Sequence, residues 1–231
     1  MRLHIIRHGS TEAYEKQLYC GFTDLSLSES GRRALASLKS AVDYPVADIC
    51  ITSGLARATE SLRIIYNREP DLVFNEFMEM NFGEFEMKSY EELKDVPAYK
   101  RWLDDLSDFL QGEITTSGSS GGGRRRSGQG EPISGDNAAP GCTSRERNGG
   151  YVCCPHGESR RMFDCRVKAG MHRLIDTGIR SAIVMCHGGV IVSIMNMYFP
   201  GQKNFYEWQP DNGRGYSLEI THEHAAIISR I

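Results

Sequence analysis

Leu3-His4-Ile5-Ile6-Arg7-His8-Gly9-Ser10-Thr11-Glu12 opens the chain with an apolar run that stops at a charged, glycine-containing turn. The run at 3–6 predicts a short strand, and Arg7-His8-Gly9 then lies at its carboxyl end. Two later stretches end the same way. The apolar residues 47–52 run into Ser53-Gly54-Leu55-Ala56-Arg57, and the continuous apolar run 182–186 runs into His187-Gly188-Gly189. A continuous run of that length fits a strand buried on both faces.

Helical patterns fill the gaps between these strands. Ser26 and Glu29 have the spacing of a capping box and predict a helix start, with Leu35, Leu38 and Val42 following on one face. Ser53 is placed to cap a helix whose Leu55, Ala58, Leu62 and Ile65 share a stripe. A weaker strand is expected at 71–74, and helical patterns resume at 90–93 and 99–110. From Ser159 a helix carries Phe163, Val167, Gly170 or Met171, and Leu174 along one side. Another follows His187-Gly188-Gly189 to about Tyr198, and 216–220 and 225–228 read as closing strands. The alternation predicts an α/β fold of three layers, α/β/α, around a mostly parallel central sheet.

The chain has 231 residues and a formal charge of −3; with 40% hydrophobic and 25% charged residues it is an ordinary globular chain. A single domain over 1–231 is expected, interrupted at 112–154. There Gly, Ser and Arg dominate, with Gly121-Gly122-Gly123 and Arg124-Arg125-Arg126 at the middle. That stretch has no period and too little apolar surface to offset its ordering entropy, which predicts a disordered insertion. No apolar run approaches the roughly 18–20 residues of a membrane helix. The first run, broken by His4 and Arg7, is too short for a signal peptide. Seven cysteines without an export signal are expected as reduced thiols of a cytoplasmic protein. Cys142, Cys153, Cys154, His156 and Cys165 fit no closed pair of chelating motifs, so no metal is expected. Cys186 is read as core packing, and His222 and His224 as solvent-facing residues of a strand. The slight acidity argues against nucleic acid as a partner.

In an open α/β sheet, ligands bind beyond the carboxyl ends of the strands. Arg7-His8-Gly9, Ser53 to Arg57, and His187-Gly188 are therefore expected at one rim. Two guanidiniums facing one pocket repel each other unless an anion lies between them, and their forked geometry suits phosphate. Nearby helix N-termini add partial positive charge. These residues point to a pocket for a phosphoryl group, with histidine as candidate nucleophile.

Arg7-His8-Gly9-Ser10-Thr11-Glu12 resembles the signature of the histidine phosphatase superfamily, the phosphoglycerate mutase-like fold. Further matches follow in the family's order: Gly21-Phe22-Thr23-Asp24, Leu27-Ser28-Glu29-Ser30-Gly31, Ser53-Gly54-Leu55-Ala56-Arg57-Ala58-Thr59, the run from Glu79 to Glu86, Gly157-Glu158-Ser159 and His187-Gly188-Gly189. The resemblance covers about residues 1–110 and 155–231. It implies that His8 attacks phosphorus and becomes phosphohistidine. It implies that Arg7, Arg57 and His187 bind the phosphoryl oxygens, with His187 also in the catalytic set. Glu79 resembles the family's proton donor; Glu76, Glu84 and Glu86 compete for the part. Gly21, Thr23 and Glu158 are candidate substrate-binding residues, although Glu158 and Ser159 could instead cap the next helix. No cofactor is implied, and the partner is a phosphorylated small molecule, not nucleic acid or membrane. His8 must be neutral at its attacking nitrogen, and a neighbouring backbone carbonyl on the other ring N–H would fix that tautomer.

Two departures bear on specificity. Ala13-Tyr14 stands where the mutases place Trp-Asn, and Phe85 and Met87 replace a Trp and a Gly. Gly-Phe-Thr-Asp followed by Leu-Ser-Glu-Ser-Gly is similar to small bacterial phosphatases, the α-ribazole phosphatases among them. The expected activity is hydrolysis of small phosphate monoesters. A phosphoglycerate mutase and a phospho-ligand-binding protein with weak catalysis are the alternatives.

Overall fold

The computed structural model describes residues 1–110 and 153–231. The expected interruption at 112–154 lies outside them except for Cys153 and Cys154, and Cys154 is fully buried in the core. In chain order the elements are β1 (Arg2–Arg7), α1 (Glu12–Glu15), α2 (Glu29–Ala41), β2 (Ile49–Thr52), α3 (Ala56–Tyr66), β3 (Leu72–Val73), α4 (Tyr90–Leu93) and α5 (Pro97–Leu110). After the gap come α6 (Arg160–Asp176), β4 (Ser181–Cys186), α7 (Gly188–Tyr198), α8 (Phe205–Trp208), β5 (Gly215–Ile220) and β6 (Ala225–Arg230).

The strands form one sheet in the order β3-β2-β4-β1-β5-β6. The first four are parallel, and β5 and β6 add an antiparallel edge. Period-2 alternation sorts their side chains into two layers. Ala182, Val184 and Cys186 of β4 join Leu3 and Ile5 in one cluster, with Phe163, Val167, Met171 and Leu174 of α6 and Val190, Ile191 and Ile194 of α7. Ile183 and Met185 join Ile6 in the other, with Leu35 of α2 and Ala58, Leu62 and Ile65 of α3. Each Val, Leu, Ile, Phe or Met side chain among them contributes roughly 1.5–3 kcal/mol relative to exposure. The expected three-layer α/β/α fold around a mostly parallel sheet is the one that forms. Cys186 belongs to that core, and burial pushes its thiol above the usual range.

Three local expectations change. The α2 N-cap is Ser28, not Ser26: its Oγ accepts from the Gly31 N–H at 3.0 Å. The N-terminus of α3 is satisfied from a distance, because the Ala56 N–H donates to Asp24 Oδ1 at 2.7 Å. Ser53 Oγ accepts from the Leu55 N–H at 3.4 Å and also contacts His187. His222 and His224 lie in the polar turn between β5 and β6, exposed as expected but not on a strand; His222 Nε2 is 3.0 Å from Asp176 Oδ1.

The two unusual residues of the 79–87 run also find physical accounts. Phe85 is buried, with its ring centre 5.4 Å from that of Tyr99 and 5.8 Å from that of Trp102. Met87 holds φ at 60°. That left-handed conformation costs a residue with a Cβ roughly 1–2 kcal/mol, which a glycine would avoid.

Candidate active site

β1 and β4 are adjacent and parallel, with Arg7 paired to Cys186. His8 and His187 therefore leave the sheet side by side at its carboxyl rim, with ring centres 4.9 Å apart, edge to face. β2 flanks β4 with Thr52 paired to Met185. It brings Ser53, and then Arg57 in the first turn of α3, to the same rim. All three strand-end segments converge.

His8 Nδ1 lies 2.6 Å from the Gly9 carbonyl oxygen. A carbonyl only accepts, so Nδ1 carries the proton and Nε2 keeps its lone pair, which is the expected tautomer. The loop is pinned from two sides. Asn212 Nδ2 donates to the His8 carbonyl at 2.8 Å, and the Gly9 N–H donates to Ser61 Oγ at 2.9 Å. At His187, Arg57 Nε–H donates to Nδ1 at 3.3 Å. Nε2 is then the protonated nitrogen, donating to Ser53 Oγ at 2.7 Å.

Burial first, and the Arg57 charge second, hold both imidazoles well below the ordinary histidine range. Both are neutral near pH 7. In the unfolded chain they titrate near 6.5. Below that pH the unfolded state binds more protons than the folded one. Their contribution is therefore fully present above pH 6.5 and falls as pH drops, by up to about 1.4 kcal/mol per pH unit for each. The expected outcome is a melting temperature that declines from about pH 7 to pH 5, with a shallower decline in a His8→Ala chain. An unchanged slope would show that His8 takes up its proton in the fold as readily as in the unfolded chain.

Arg57 is 1% exposed. Its Nη1 donates to the Thr23 carbonyl at 2.9 Å and its Nη2 to the Gly21 carbonyl at 2.6 Å. Arg7 Nη1 donates to the Pro210 carbonyl at 2.8 Å, and the guanidinium lies 5.1 Å from the Tyr14 ring centre. Arg7 Nε is buried without a hydrogen-bond partner among the described residues. Neither arginine forms an ion pair with a carboxylate among them.

The Glu79 carboxylate sits against the start of α7. Its Oε2 accepts from the Gly189 N–H and its Oε1 from the Met80 N–H, each at 2.9 Å. A methyl group at Gly189 would collide with Glu79 Oε1, so the approach needs glycine. The competing carboxylates lie elsewhere. Glu76 pairs with Arg173 at 2.9 Å, Glu84 is 3.4 Å from His156, and Glu86 is held by the 21–23 loop.

Gly21, Thr23 and Glu158 each have partners within the protein. Gly21 and Thr23 give their carbonyls to Arg57 and their N–H groups to Glu86. Glu158 forms a two-pronged pair with Arg166, at 2.8 and 2.7 Å, and accepts from the Asn81 N–H at 2.9 Å. Arg166 also donates to the carbonyls of Glu76 at 3.0 Å, Met78 at 2.9 Å and Glu79 at 3.2 Å. The pair thus anchors the segment that carries Glu79. Ser159, not Glu158, caps α6, accepting from the Met162 N–H at 3.3 Å.

Sequence reasoning passed over Ser61, Arg166, Asn212, the His187 contact of Ser53, and Gln209. A methyl at Gly188 would collide with Gln209 Nε2 and come within 3.4 Å of Arg7 Nε, which places that amide beside Arg7. Among the described residues no group of three or more His, Cys, Asp or Glu is placed to hold a metal ion. No helix among them is long and apolar enough to cross a membrane.

Fold and site together define an α/β protein with two neutral histidines, one buried guanidinium and one half-buried guanidinium at the carboxyl rim of its sheet. Residues 3–120 match the histidine phosphatase superfamily (branch 1), and the chain belongs to that family. The adenosylcobalamin/alpha-ribazole phosphatase of Salmonella typhimurium is 31% identical over 114 residues, 48% of this chain and 56% of that protein. The protein of that name from Escherichia coli (strain K12) is 31% identical over 109 residues, 46% of this chain and 54% of the relative. The matched region thus spans about half the length of these curated relatives. Among solved structures, the alpha-ribazole phosphatase from Shigella flexneri superposes with a TM-score of 0.68 at 23% identity, over 98% of this chain and 94% of that one. The phosphoglycerate mutase from Thermus thermophilus does so with a TM-score of 0.63 at 21% identity, over 100% and 98%. These two share its fold.

Proposed function

We propose that this chain is a phosphatase that hydrolyses small-molecule phosphate monoesters through a phosphohistidine on His8. One observation carries the reading. Two guanidiniums without ion-pair partners among the described residues, Arg57 buried and Arg7 half-buried with its Nε enclosed, flank two neutral imidazoles, one of which keeps a free Nε2 lone pair. Buried unpaired cations are costly, and the oxygens of a phosphoryl group would offset that cost.

In the first half-reaction His8 Nε2 attacks phosphorus, and the P–N bond forms as the ester P–O bond breaks. Glu79 gives a proton to the departing oxygen, so the product leaves as an alcohol. In the second half Glu79 takes a proton from water, the water oxygen bonds to phosphorus, and the P–N bond breaks to release phosphate. The Gly9 carbonyl holds the Nδ1–H throughout and stabilises the positive ring formed on attack. Arg7 and Arg57 would bind the non-bridging oxygens, and His187 would join them by turning its Nε2–H from Ser53 Oγ to the phosphoryl group. Phosphoryl transfer demands mainly positioning and electrostatic stabilisation, which these side chains supply without a metal ion. The described residues act as one domain in this reading, and 112–154 interrupts it. The names of the curated relatives support α-ribazole phosphate as the first ester to try.

The test is phosphate release from p-nitrophenyl phosphate and from α-ribazole phosphate in excess chelator. Turnover is expected in both. No release, with interconversion of phosphoglycerates instead, would move the chain to the mutases. Phosphate binding without either reaction would leave a binding protein.

A further inference from the structure

We propose that Glu86 is a positioning residue that sets Arg57 in place through the 21–23 loop; the proposal rests on the phosphatase reading above. Three consecutive backbone N–H groups of that loop converge on its carboxylate. Oε1 accepts from Phe22 at 2.9 Å and from the Phe82 N–H at 3.0 Å. Oε2 accepts from the N–H groups of Gly21 at 3.0 Å and Thr23 at 3.3 Å, and from Thr23 Oγ1–H at 2.7 Å. Successive N–H groups arranged this way form an anion-binding nest, and here the protein fills the nest with its own carboxylate.

The carbonyls of the same loop face the other way. Those of Gly21 and Thr23 are the two acceptors that hold Arg57 Nη2 and Nη1. One carboxylate and one guanidinium therefore meet across a single stretch of peptide, and each polarises the groups that bind the other. The loop is also pressed onto the segment that bears Glu79: a methyl at Gly21 would run into the Met80 carbonyl oxygen. Without Glu86, the N–H groups of Gly21, Phe22 and Thr23 lose their acceptor. The loop then shifts, and Arg57 loses the two fixed oxygens that orient its fork beside His187. Glu86 thus acts on the phosphoryl group only through Arg57.

Four chains test this: wild type, Glu86→Gln, Arg57→Gln and the double substitution, each first checked for a cooperative melt. The readouts are the Kd for inorganic phosphate, by calorimetry, and kcat on p-nitrophenyl phosphate. Glu86→Gln keeps the side chain's size but turns an amide toward donors. It is expected to weaken phosphate binding and lower kcat by about tenfold each, as a misplaced catalytic group does. In the Arg57→Gln background it should add less than about twofold, because its effect runs through the missing guanidinium. Losses that multiply in the double substitution would overturn the proposal, as would wild-type Kd and kcat in a folded Glu86→Gln chain. Should Glu86→Gln fail to melt cooperatively, Thr23→Val removes one donor to the carboxylate and should shift both quantities in the same direction by about threefold. Wild-type values there would overturn the proposal as well. A wild type that binds phosphate but cleaves no ester would defeat the phosphatase reading and leave the Kd series to decide on Glu86.

Discussion

Replacing His8 by alanine is expected to lower phosphate release from p-nitrophenyl phosphate by about 10⁴-fold or more while leaving the chain folded. The size follows from the role: without Nε2 there is no group to carry the phosphoryl between half-reactions. The small effect on the fold follows from the contacts. Among the described residues the ring's one hydrogen bond runs to the adjacent Gly9 carbonyl. Losing such a bond costs about 0.5–1.5 kcal/mol, and each kcal/mol moves the melting temperature of a chain this size by roughly 2–4 °C. Removing the ring also relieves a buried imidazole that faces Arg57. Rapid quenching of the wild type should trap an acid-labile phosphoryl adduct that the variant lacks. Hydrolysis at the wild-type rate in His8→Ala would remove phosphohistidine from the mechanism.

Glu79→Gln should separate substrates by their leaving groups. An alkyl ester departs as a poor alkoxide unless a proton reaches its oxygen, so its turnover should fall by about 10²–10⁴-fold. p-Nitrophenolate leaves without that help. Its first step should persist, and the slow step becomes attack by water, which has lost its base. Stopped-flow traces should then show a burst of p-nitrophenol followed by a slow phase. The glutamine still offers one acceptor to the Gly189 or Met80 N–H, so the fold should hold. Equal losses on both esters, without a burst, would make Glu79 a structural carboxylate.

Much of this architecture is local in origin, and that part can be read along the chain. Leu55, Ala58, Leu62 and Ile65 recur at helical spacing because α3 lies on the sheet, and all four are buried. The run from Ala182 to Cys186 is uninterrupted because β4 is covered on both faces. Arg7-His8-Gly9, Ser53 to Arg57 and His187-Gly188 each follow such a run, and parallel strands place their carboxyl ends at one rim whatever their separation in the chain. The tautomer of His8 was also legible, because its partner is the next residue.

Polar side chains obey no such period. Each is satisfied by whichever donor or acceptor packing brings near, often from far along the chain. Ser53 has the right place to cap α3 but lies against His187, while Asp24 takes the cap from 32 residues away. Glu158 precedes a helix and reads as a cap or a substrate contact; packing closes it on Arg166 and on the Asn81 N–H, 77 residues away. Glu86 reads as a rival to Glu79 because both are acids of one short run. The turn of backbone between them sends Glu79 to the start of α7 and Glu86 into the N–H groups of the 21–23 loop. Apolar periodicity and strand ends therefore announce which residues meet at the rim, whereas the supports that hold Arg57, His187 and Glu79 at working distance exist only once the layers have packed.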